Sequence, residues 1–270
     1  MLNRTAIGVL LALAAAFLFG LNASTSKVIM ATGISPDLVV LFRSFAATAI
    51  AGIVLLFKNR SAFKVKLREI PFLVLFGVFG VALMQWAYSN AVSLLPVGIA
   101  LLFEYTAIVM VPIASYLLFK QKTNSNLWLG VVLVLGGLAV VSQIWQGGLN
   151  ASGIGFALLA AVLLSTYFIM GERAGLNRDP VSTMFYTMLF ATMFWLLFTD
   201  WSQVSPMLFV GNIDLSANLA GVEIPKLMAF TWLGIMGSFA PMVLSFIALK
   251  YSTATIVGIV STAEPVFAFL

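Results

Sequence analysis

The chain of 270 residues contains no cysteine and no histidine, and only 9% of its residues are charged. The absence of cysteine excludes disulfide bonds and thiol chemistry. The absence of histidine removes histidine acid–base catalysis and most zinc and haem ligand sets, so we expect no metal and no cofactor. Water-soluble domains carry about 25% charged residues, and a fraction this low argues against a soluble fold.

In place of charge, the sequence has long apolar runs. Its hydrophobic fraction is 62% and its mean hydropathy is +1.10. The runs have lengths near the ~20 residues that cross a hydrocarbon core of ~30 Å, and a chain in lipid must pair its backbone polar groups within helices. We therefore predict an all-α integral membrane protein in a lipid bilayer. The predicted spans are Thr5–Val28, Pro36–Phe57, Ile70–Asn90, Pro96–Leu118, Leu127–Ile144, Gly153–Met170, Val181–Phe198, Leu227–Leu249 and Ala254–Leu270.

The layout of the spans repeats after the fifth one. Because five is odd, the second copy would be inverted in the membrane, which is the usual architecture of an alternating-access transporter. We predict an inverted five-plus-five repeat, with residues 1–148 as the first half and 149–270 as the second. The last span is still apolar at Leu270, so we expect a shortened chain that lacks a tenth helix. The two copies match at Ile7-Gly8 with Ile154-Gly155, Leu11 with Leu158, Ala14 with Ala161, and Pro36 with Pro180.

Two further patterns concern packing and orientation. Small residues recur every four positions in the first span, which predicts a closely approaching partner helix. If the N-terminus is inside, the outside loops hold a single basic residue, Lys226, so the positive-inside rule makes the N-terminus cytoplasmic. The basic balance then reflects topology, and no nucleic-acid partner is expected. The small residues are Gly8, Ala12, Ala16, Gly20 and Ser24, and the inside basic residues are Arg4, Lys58, Arg60, Lys64, Lys66, Arg68, Lys120, Lys122, Arg173, Arg178 and Lys250.

Polar residues from four predicted spans lie at similar depths. At ~1.5 Å per residue, Arg43 and Glu104 lie roughly 10–12 Å below the outer surface, and Asn22 and Gln85 roughly 8–9 Å. A charged side chain near the bilayer centre costs at least ~2.5–3.5 kcal/mol and usually faces a cavity or a partner. We predict a water-accessible chamber open to the outside, with Tyr88 on the same helical face as Gln85. The alternative is a static ion pair between Arg43 and Glu104.

Glu264 enters the membrane from the inside and directly precedes Pro265. Proline removes a helical hydrogen bond and favours a kink, so this acid lies beside a bendable helix near the midplane, at the depth of Tyr167. Carboxyl groups in surroundings of low dielectric can exchange protons, which makes proton coupling through Glu104 or Glu264 a hypothesis. The alternative is a Glu264 hydrogen-bonded to a neighbouring Ser or Thr.

The stretch Pro96–Ala107 (PVGIALLFEYTA), the Glu264-Pro265 pair, Arg43 in the second span and the five-plus-five layout resemble the EamA-type drug/metabolite transporter superfamily. The resemblance implies ten helices around a central cavity between inverted halves, in a bacterial inner membrane, and export of amino acids or related metabolites. It also implies that Glu104 and Glu264 match the acids of the fourth and ninth helices. Ile108 stands where many relatives have proline, so helix 4 should be straighter than helix 9.

We therefore expect a secondary transporter that exports a small molecule, such as an amino acid, by alternating access and is not an enzyme. Trp86, Tyr88 and Tyr167 would form the aromatic walls of its cavity. No glycine-rich phosphate loop is present, which argues against ATP as the energy source. The alternatives are a non-transporting membrane scaffold and an integral-membrane enzyme that modifies lipid.

Overall fold

The computed structural model describes residues 3–121, 125–143, 145, 149–204, 206–215 and 221–268. Within these residues the chain forms nine apolar helical segments, seven of which are long enough to cross a membrane. The other two are shorter. The helices are α1 Arg4–Ala31, α2 Pro36–Lys58, α3 Leu67–Leu94, α4 Val97–Phe119, α5 Ser125–Val141, α6 Ala151–Asn177, α7 Pro180–Phe198, α8 Lys226–Tyr251 and α9 Ala254–Ala268.

Local sequence signals begin α2 and α7 in the same way. Pro36 and Pro180 lie in the first turn of these helices, where a missing N–H leaves no hydrogen bond unmade. The Asp179 carboxylate also accepts a hydrogen bond from the backbone N–H of Ser182 at 3.0 Å. Caps of this kind fix the residue at which the chain turns back into the membrane.

The helices of the two halves pack against each other in matching pairs. Helix α1 packs along α8, and α6 packs along α3, so the first helix of each half lies on the third helix of the other. The second helices, α2 and α7, pack side by side. This reciprocal packing is what an inverted repeat produces, and the predicted fold class is confirmed for the described part of the chain.

The residue register between the halves differs from the predicted one. A Cβ added to Gly8 would lie 2.8 Å from Ser252 Cβ, and a Cβ added to Gly153 would lie 2.7 Å from Leu95 Cγ. Ser252 and Leu95 directly follow α8 and α3, so Gly8 corresponds to Gly153 and the predicted match to Gly155 is wrong by two residues. The predicted pairs Leu11 with Leu158 and Ala14 with Ala161 are wrong for the same reason. Ala14 is exposed, whereas Ala161 is buried.

The burial of residues in α1 and α6 supports the corrected register. A shift of two residues rotates a helix by about 200°, which would turn its buried face toward lipid. The positions that now correspond are buried in both halves: Ala12 with Ala157, Ala15 with Ala160, and Ala16 with Ala161. The small-residue stripe of α1 is buried as far as Gly20, whereas Ser24 is exposed.

Four of the helices are irregular at corresponding places. Helices α3 and α8 contain π-helical stretches, Phe76–Ala82 and Ile235–Phe239. Helices α4 and α9 are each interrupted by two turn residues, where the hydroxyls of Thr106 and Thr262 donate to the carbonyls three residues before them, at 2.6 and 2.5 Å. The expectation that α4 is straighter than α9 is therefore not met: α4 is interrupted at the corresponding place although Ile108 stands where proline was expected, and it also contains Pro112.

The connection between α7 and α8 has secondary structure of its own. It contains two short 3₁₀ helices, Trp201–Gln203 and Pro206–Phe209, and an antiparallel hairpin of β1 (Asn212–Asp214) and β2 (Glu223–Pro225). Ile213 is only 4% exposed, because it packs into an apolar cluster with residues of α1, α2 and α8. Part of this connection therefore packs against the helices.

Candidate functional site

A cavity lies between the two halves of the bundle. It encloses about 560 Å³ of empty space, its opening included, of which the centres of water molecules can occupy about 60 Å³. This space is large enough to hold water. The lining residues come from α1 (Phe19), α2 (Arg43), α3 (Met84, Gln85, Tyr88), α4 (Glu104, Tyr105), α6 (Leu164, Tyr167, Phe168), α8 (Met242, Ser245) and α9 (Ser261, Glu264).

Both predicted membrane acids face this cavity. The Glu104 side chain is 5% exposed and forms no hydrogen bond with any described residue. The Glu264 carboxylate accepts a hydrogen bond from the Tyr105 hydroxyl at 2.7 Å. This bond joins α4 of the first half to α9 of the second, and it replaces the Ser or Thr partner considered for Glu264. The structure thus brings two carboxyl groups from opposite halves to one space.

Arg43 lines the same cavity but does not pair with Glu104. Its guanidinium donates from Nε to the hydroxyl of Ser238 and from Nη2 to the carbonyl of Gly237, both at 3.0 Å. The acceptors belong to the π-helical stretch of α8, where the backbone departs from regular α-helical bonding. The alternative of a static ion pair between Arg43 and Glu104 is therefore contradicted, because the guanidinium is held by the opposite half.

Asn22 binds the same π-helical stretch from the other side. Its Nδ2 donates to the carbonyl of Met236 at 2.8 Å and also to the carbonyl of Leu18. Gly237 is close by, since a Cβ there would lie 2.7 Å from Asn22 Oδ1. Asn22 is 2% exposed and does not line the cavity. Three of the four residues of the predicted polar layer therefore share the cavity, and the fourth packs next to it.

The remaining polar residues of the cavity fall into two groups. Gln85 and Tyr88 are buried in its wall, and their Oε1 and hydroxyl atoms have no hydrogen-bond partner among the residues that the structure describes. Buried polar atoms without partners are rare and mark places where a ligand or a water can bind. Tyr167, by contrast, donates its hydroxyl to Ser245 Oγ at 3.0 Å, across the interface between α6 and α8.

Trp86 lies outside the cavity. Its ring packs edge-to-face on Phe156, with 5.4 Å between centroids, and lies 6.2 Å from the ring of Trp195. The prediction of Trp86 as a cavity wall is therefore wrong: Met84 and Tyr88 line the cavity, and Trp86, two residues from each, lies about 200° around the helix. Sequence reasoning missed Tyr105, which lies in the turn of α4 and whose hydroxyl reaches Glu264 of the other half.

The chain is similar in sequence and in fold to known proteins. The model of the EamA-like transporter family matches residues 6–143 and again residues 151–270. The chain is 26% identical over 189 residues to "Uncharacterized transporter YdfC" of Bacillus subtilis (strain 168), an alignment that covers 70% of the chain and 56% of that relative. The chain thus spans just over half the length of this relative.

A solved protein, described only as "Crystal structure of protein", superposes with a TM-score of 0.72 at 20% identity, over 97% of this chain and 85% of its own. That likeness concerns the fold alone. The two family matches together cover nearly the whole sequence. The chain therefore belongs to the EamA-like transporter family, within the drug/metabolite transporter superfamily, and is a multi-pass membrane protein.

Proposed function

We propose that the protein is a secondary-active transporter that exports a small zwitterionic metabolite, such as an amino acid, by alternating access. The observation that carries this proposal is the placement of two buried acids and one buried arginine around a cavity to which both halves contribute. Ionisable residues inside a membrane are costly, and they mark substrate or ion pathways. The boundaries of the halves, residues 1–148 and 149–270, are part of the proposal.

The charges around the cavity suit a molecule with both a carboxylate and an ammonium group. Arg43 can bind a carboxylate in the bidentate manner typical of guanidinium groups. Glu104 forms no hydrogen bond or ion pair with the described part of the chain, so a cation near it would stabilise its charged form. The limited space, about 60 Å³ for water centres, favours a small substrate in this conformation. Tyr88 and Gln85 would add hydrogen bonds to its polar atoms.

Coupling to protons would act through the Glu264 carboxylate. In this conformation Tyr105 donates to it across the interface of the halves. A proton bound to the Glu264 carboxylate would neutralise its charge. The hydrogen bond from Tyr105 would then be weaker, because charge-assisted hydrogen bonds are stronger than neutral ones. The link between α4 and α9 would then loosen and let the halves separate on that side. Proton binding and the opening of the cavity would thus depend on the same contact.

The irregular helices provide places where such a movement can occur. The turns in α4 and α9 lie beside the lining residues Tyr105 and Glu264. The π-helical stretches contact the cavity lining: that of α8 accepts a hydrogen bond from Arg43, and that of α3 packs the ring of Phe76 5.9 Å from that of Tyr167. Irregular backbone inside a membrane protein is tolerated where it is buried or lines a cavity, and π-helical turns often occur at functional sites. Rocking of one half against the other would need only small changes at these four places.

The orientation of the protein is also proposed from its loops. The loop between α2 and α3 and the end of α6 meet on one face, where Arg178 forms an ion pair with Glu69 at 2.6 Å. On the same face, Glu172 binds Gln121 at 3.2 Å and the backbone N–H of Ala254 at 2.7 Å. These are the loops that carry the basic residues, so we propose that this face, with the N-terminus, is cytoplasmic in a bacterial inner membrane.

The two other functions considered have no observation in their favour. A lipid-modifying enzyme needs clustered acids for a metal or a nucleophile with a base, and the described residues hold no group of three or more potential metal ligands. A scaffold would not require Arg43 and Glu104 in a shared cavity.

The test is counterflow of labelled amino acids in proteoliposomes, with and without a pH gradient. Two variants, Glu104→Gln and Glu264→Gln, remove each carboxyl charge at nearly constant volume. Glu223→Gln is the matched control, because Glu223 is exposed in the hairpin outside the cavity. We expect an uptake of at least one small amino acid that both cavity variants reduce by about tenfold or more, as loss of a charged contact predicts.

Three outcomes decide the proposal. Wild-type counterflow that the pH gradient accelerates, and that both cavity variants lose, supports the coupled carrier. Counterflow that is normal in both variants, with an unchanged pH dependence, would show that the acids take no part. Labelled flux without counterflow would indicate a channel.

A further inference from the structure

A second cavity lies on the basic face of the protein, where the start of α3 meets the end of α6. It encloses about 650 Å³ of empty space, its opening included, and water centres can occupy about 250 Å³ of it. It is therefore roomier than the central cavity, whose corresponding volume is about 60 Å³. The lining residues are Arg68, Glu69, Phe72, Leu73, Arg173, Ala174, Asn177 and Arg178.

Arg178 builds one wall of this second cavity. It forms the ion pair with Glu69 at 2.6 Å, and its Nη2 donates to Ser182 Oγ at 2.8 Å and to the carbonyls of Ala62 and Lys64, both at 3.3 Å. The guanidinium is thus fully engaged in holding the loop between α2 and α3 onto the second half. Its charge is balanced by the Glu69 carboxylate, so neither residue gives the cavity a net charge.

Arg68 and Arg173 give the cavity its positive charge. Both are exposed, and neither donates a hydrogen bond to any residue that the structure describes. Arg173 lies over the ring of Phe119, with its Cζ 3.7 Å from the centroid, which limits its freedom without using its N–H groups. Two guanidinium groups, one from each half, therefore line one cavity with their donors available.

The rest of the lining is apolar or neutral. Phe72, Leu73 and Ala174 are partly or fully buried and form an apolar floor, and Asn177 adds an exposed amide. A small inorganic ion would not need an apolar floor, whereas a phosphate attached to glycerol would use both parts. The cavity also lies where two membrane helices reach the surface, which is the depth of lipid headgroups.

We propose that this cavity binds a phosphate-bearing anion, the headgroup of an anionic phospholipid, between Arg68 and Arg173. Guanidinium groups bind phosphate oxygens in pairs. A soluble phosphate ester offers the same oxygens, so the test must separate the two sources.

The test measures binding to the purified full chain in detergent by native mass spectrometry. Phosphatidylglycerol is titrated against phosphatidylcholine with the same acyl chains, and inorganic phosphate and glycerol 3-phosphate are added as soluble competitors. The pocket variant is Arg68→Gln with Arg173→Gln. The matched control, Lys64→Gln with Lys66→Gln, removes the same charge from exposed positions of the same face outside the cavity. Equal melting temperatures show that both variants fold.

We expect phosphatidylglycerol to bind about tenfold more weakly to the pocket variant, while the control changes by less than about twofold. Phosphatidylcholine should bind weakly to all three proteins. If millimolar phosphate displaces phosphatidylglycerol, the phosphate group alone is enough for binding. If phosphatidylglycerol stays bound, the site requires the intact lipid. An equal loss in both double variants would reduce the site to general surface attraction and overturn the proposal, as would unchanged binding in the pocket variant.

Discussion

Gly20 lies where α1 crosses α9, and its substitution tests the packing that holds Glu264 at the central cavity. A Cβ at position 20 would lie 2.7 Å from the carbonyl oxygen of Glu264, 2.8 Å from Phe267 Cβ and 3.0 Å from the backbone nitrogen of Ala268. Two of these atoms belong to the backbone, so no side-chain rotation can relieve the contact. Helix α9 must therefore move away from α1, and Glu264 must move with it.

The expected cost of Gly20→Ala follows from two opposing effects. Overpacking of a close contact costs about 1–3 kcal/mol, whereas alanine is a better helix former than glycine by about 0.8–1.0 kcal/mol. Gly155→Ala is the matched control, because a Cβ there would meet nothing within 4 Å. Gly155→Ala therefore gains helix propensity without the cost of overpacking. We therefore expect Gly20→Ala to be less stable than Gly155→Ala by about 1–3 kcal/mol.

Thermal unfolding in detergent, followed by the fluorescence of the 6 tryptophans, measures this difference. A difference of 1 kcal/mol shifts the melting temperature by roughly 2–4 °C in a chain of this order of size. Counterflow in proteoliposomes should also fall for Gly20→Ala and stay near wild type for Gly155→Ala. If Gly20→Ala melts at or above the temperature of Gly155→Ala, the close approach of α1 and α9 is not as described.

Three further substitutions separate the roles of individual side chains. Tyr105→Phe keeps the ring but removes the donor to Glu264, and since such a bond contributes roughly 1.5–3 kcal/mol, we expect at least a tenfold change in counterflow rate and a shifted pH profile. Arg43→Lys keeps the charge but cannot reproduce the guanidinium fork that reaches Gly237, so the half-saturation concentration for substrate should rise about tenfold. Trp86→Leu removes aromatic packing outside the cavity, so it should lower the melting temperature and leave half-saturation within about twofold. Unchanged values for the first two variants, or altered substrate affinity for Trp86→Leu, would contradict the assignment of the cavity.

The helices and their order could be predicted from hydropathy because the bilayer fixes the length of a span and demands internal backbone hydrogen bonds. The residue-by-residue correspondence between the two halves could not be predicted from the sequence. Ile-Gly occurs at the start of both halves, but two residues of shift rotate a helix by about 200°. Only the contacts of Gly8 with Ser252 and of Gly153 with Leu95 identify the correct register.

Depth along the helices placed Arg43, Glu104 and Gln85 in one layer, because rise per residue is nearly constant, and all three line the cavity. Depth set Glu264 apart near the midplane, whereas the structure has it in the lining of the same cavity. Depth does not specify which neighbour a side chain binds. Arg43 binds the carbonyl of Gly237, which is 194 residues away in the sequence and belongs to a π-helical stretch. Such a stretch is a backbone feature without a clear sequence signal. For the same reason, the turn that places Tyr105 in the cavity was not foreseen.

Cysteine labelling can show whether the central cavity opens to both sides of the membrane, because the sequence contains no cysteine and an introduced one is the only thiol. Ser261 lines the central cavity, whereas Ser202 and Ser61 are exposed on the two opposite faces. Each is replaced by cysteine and exposed to a membrane-impermeant maleimide from one side of sealed vesicles at a time. We expect Ser202→Cys and Ser61→Cys each to react from one side only, and Ser261→Cys to react from both sides and to be slowed by substrate. Reaction of Ser261→Cys from a single side, or from neither, would contradict alternating access to this cavity.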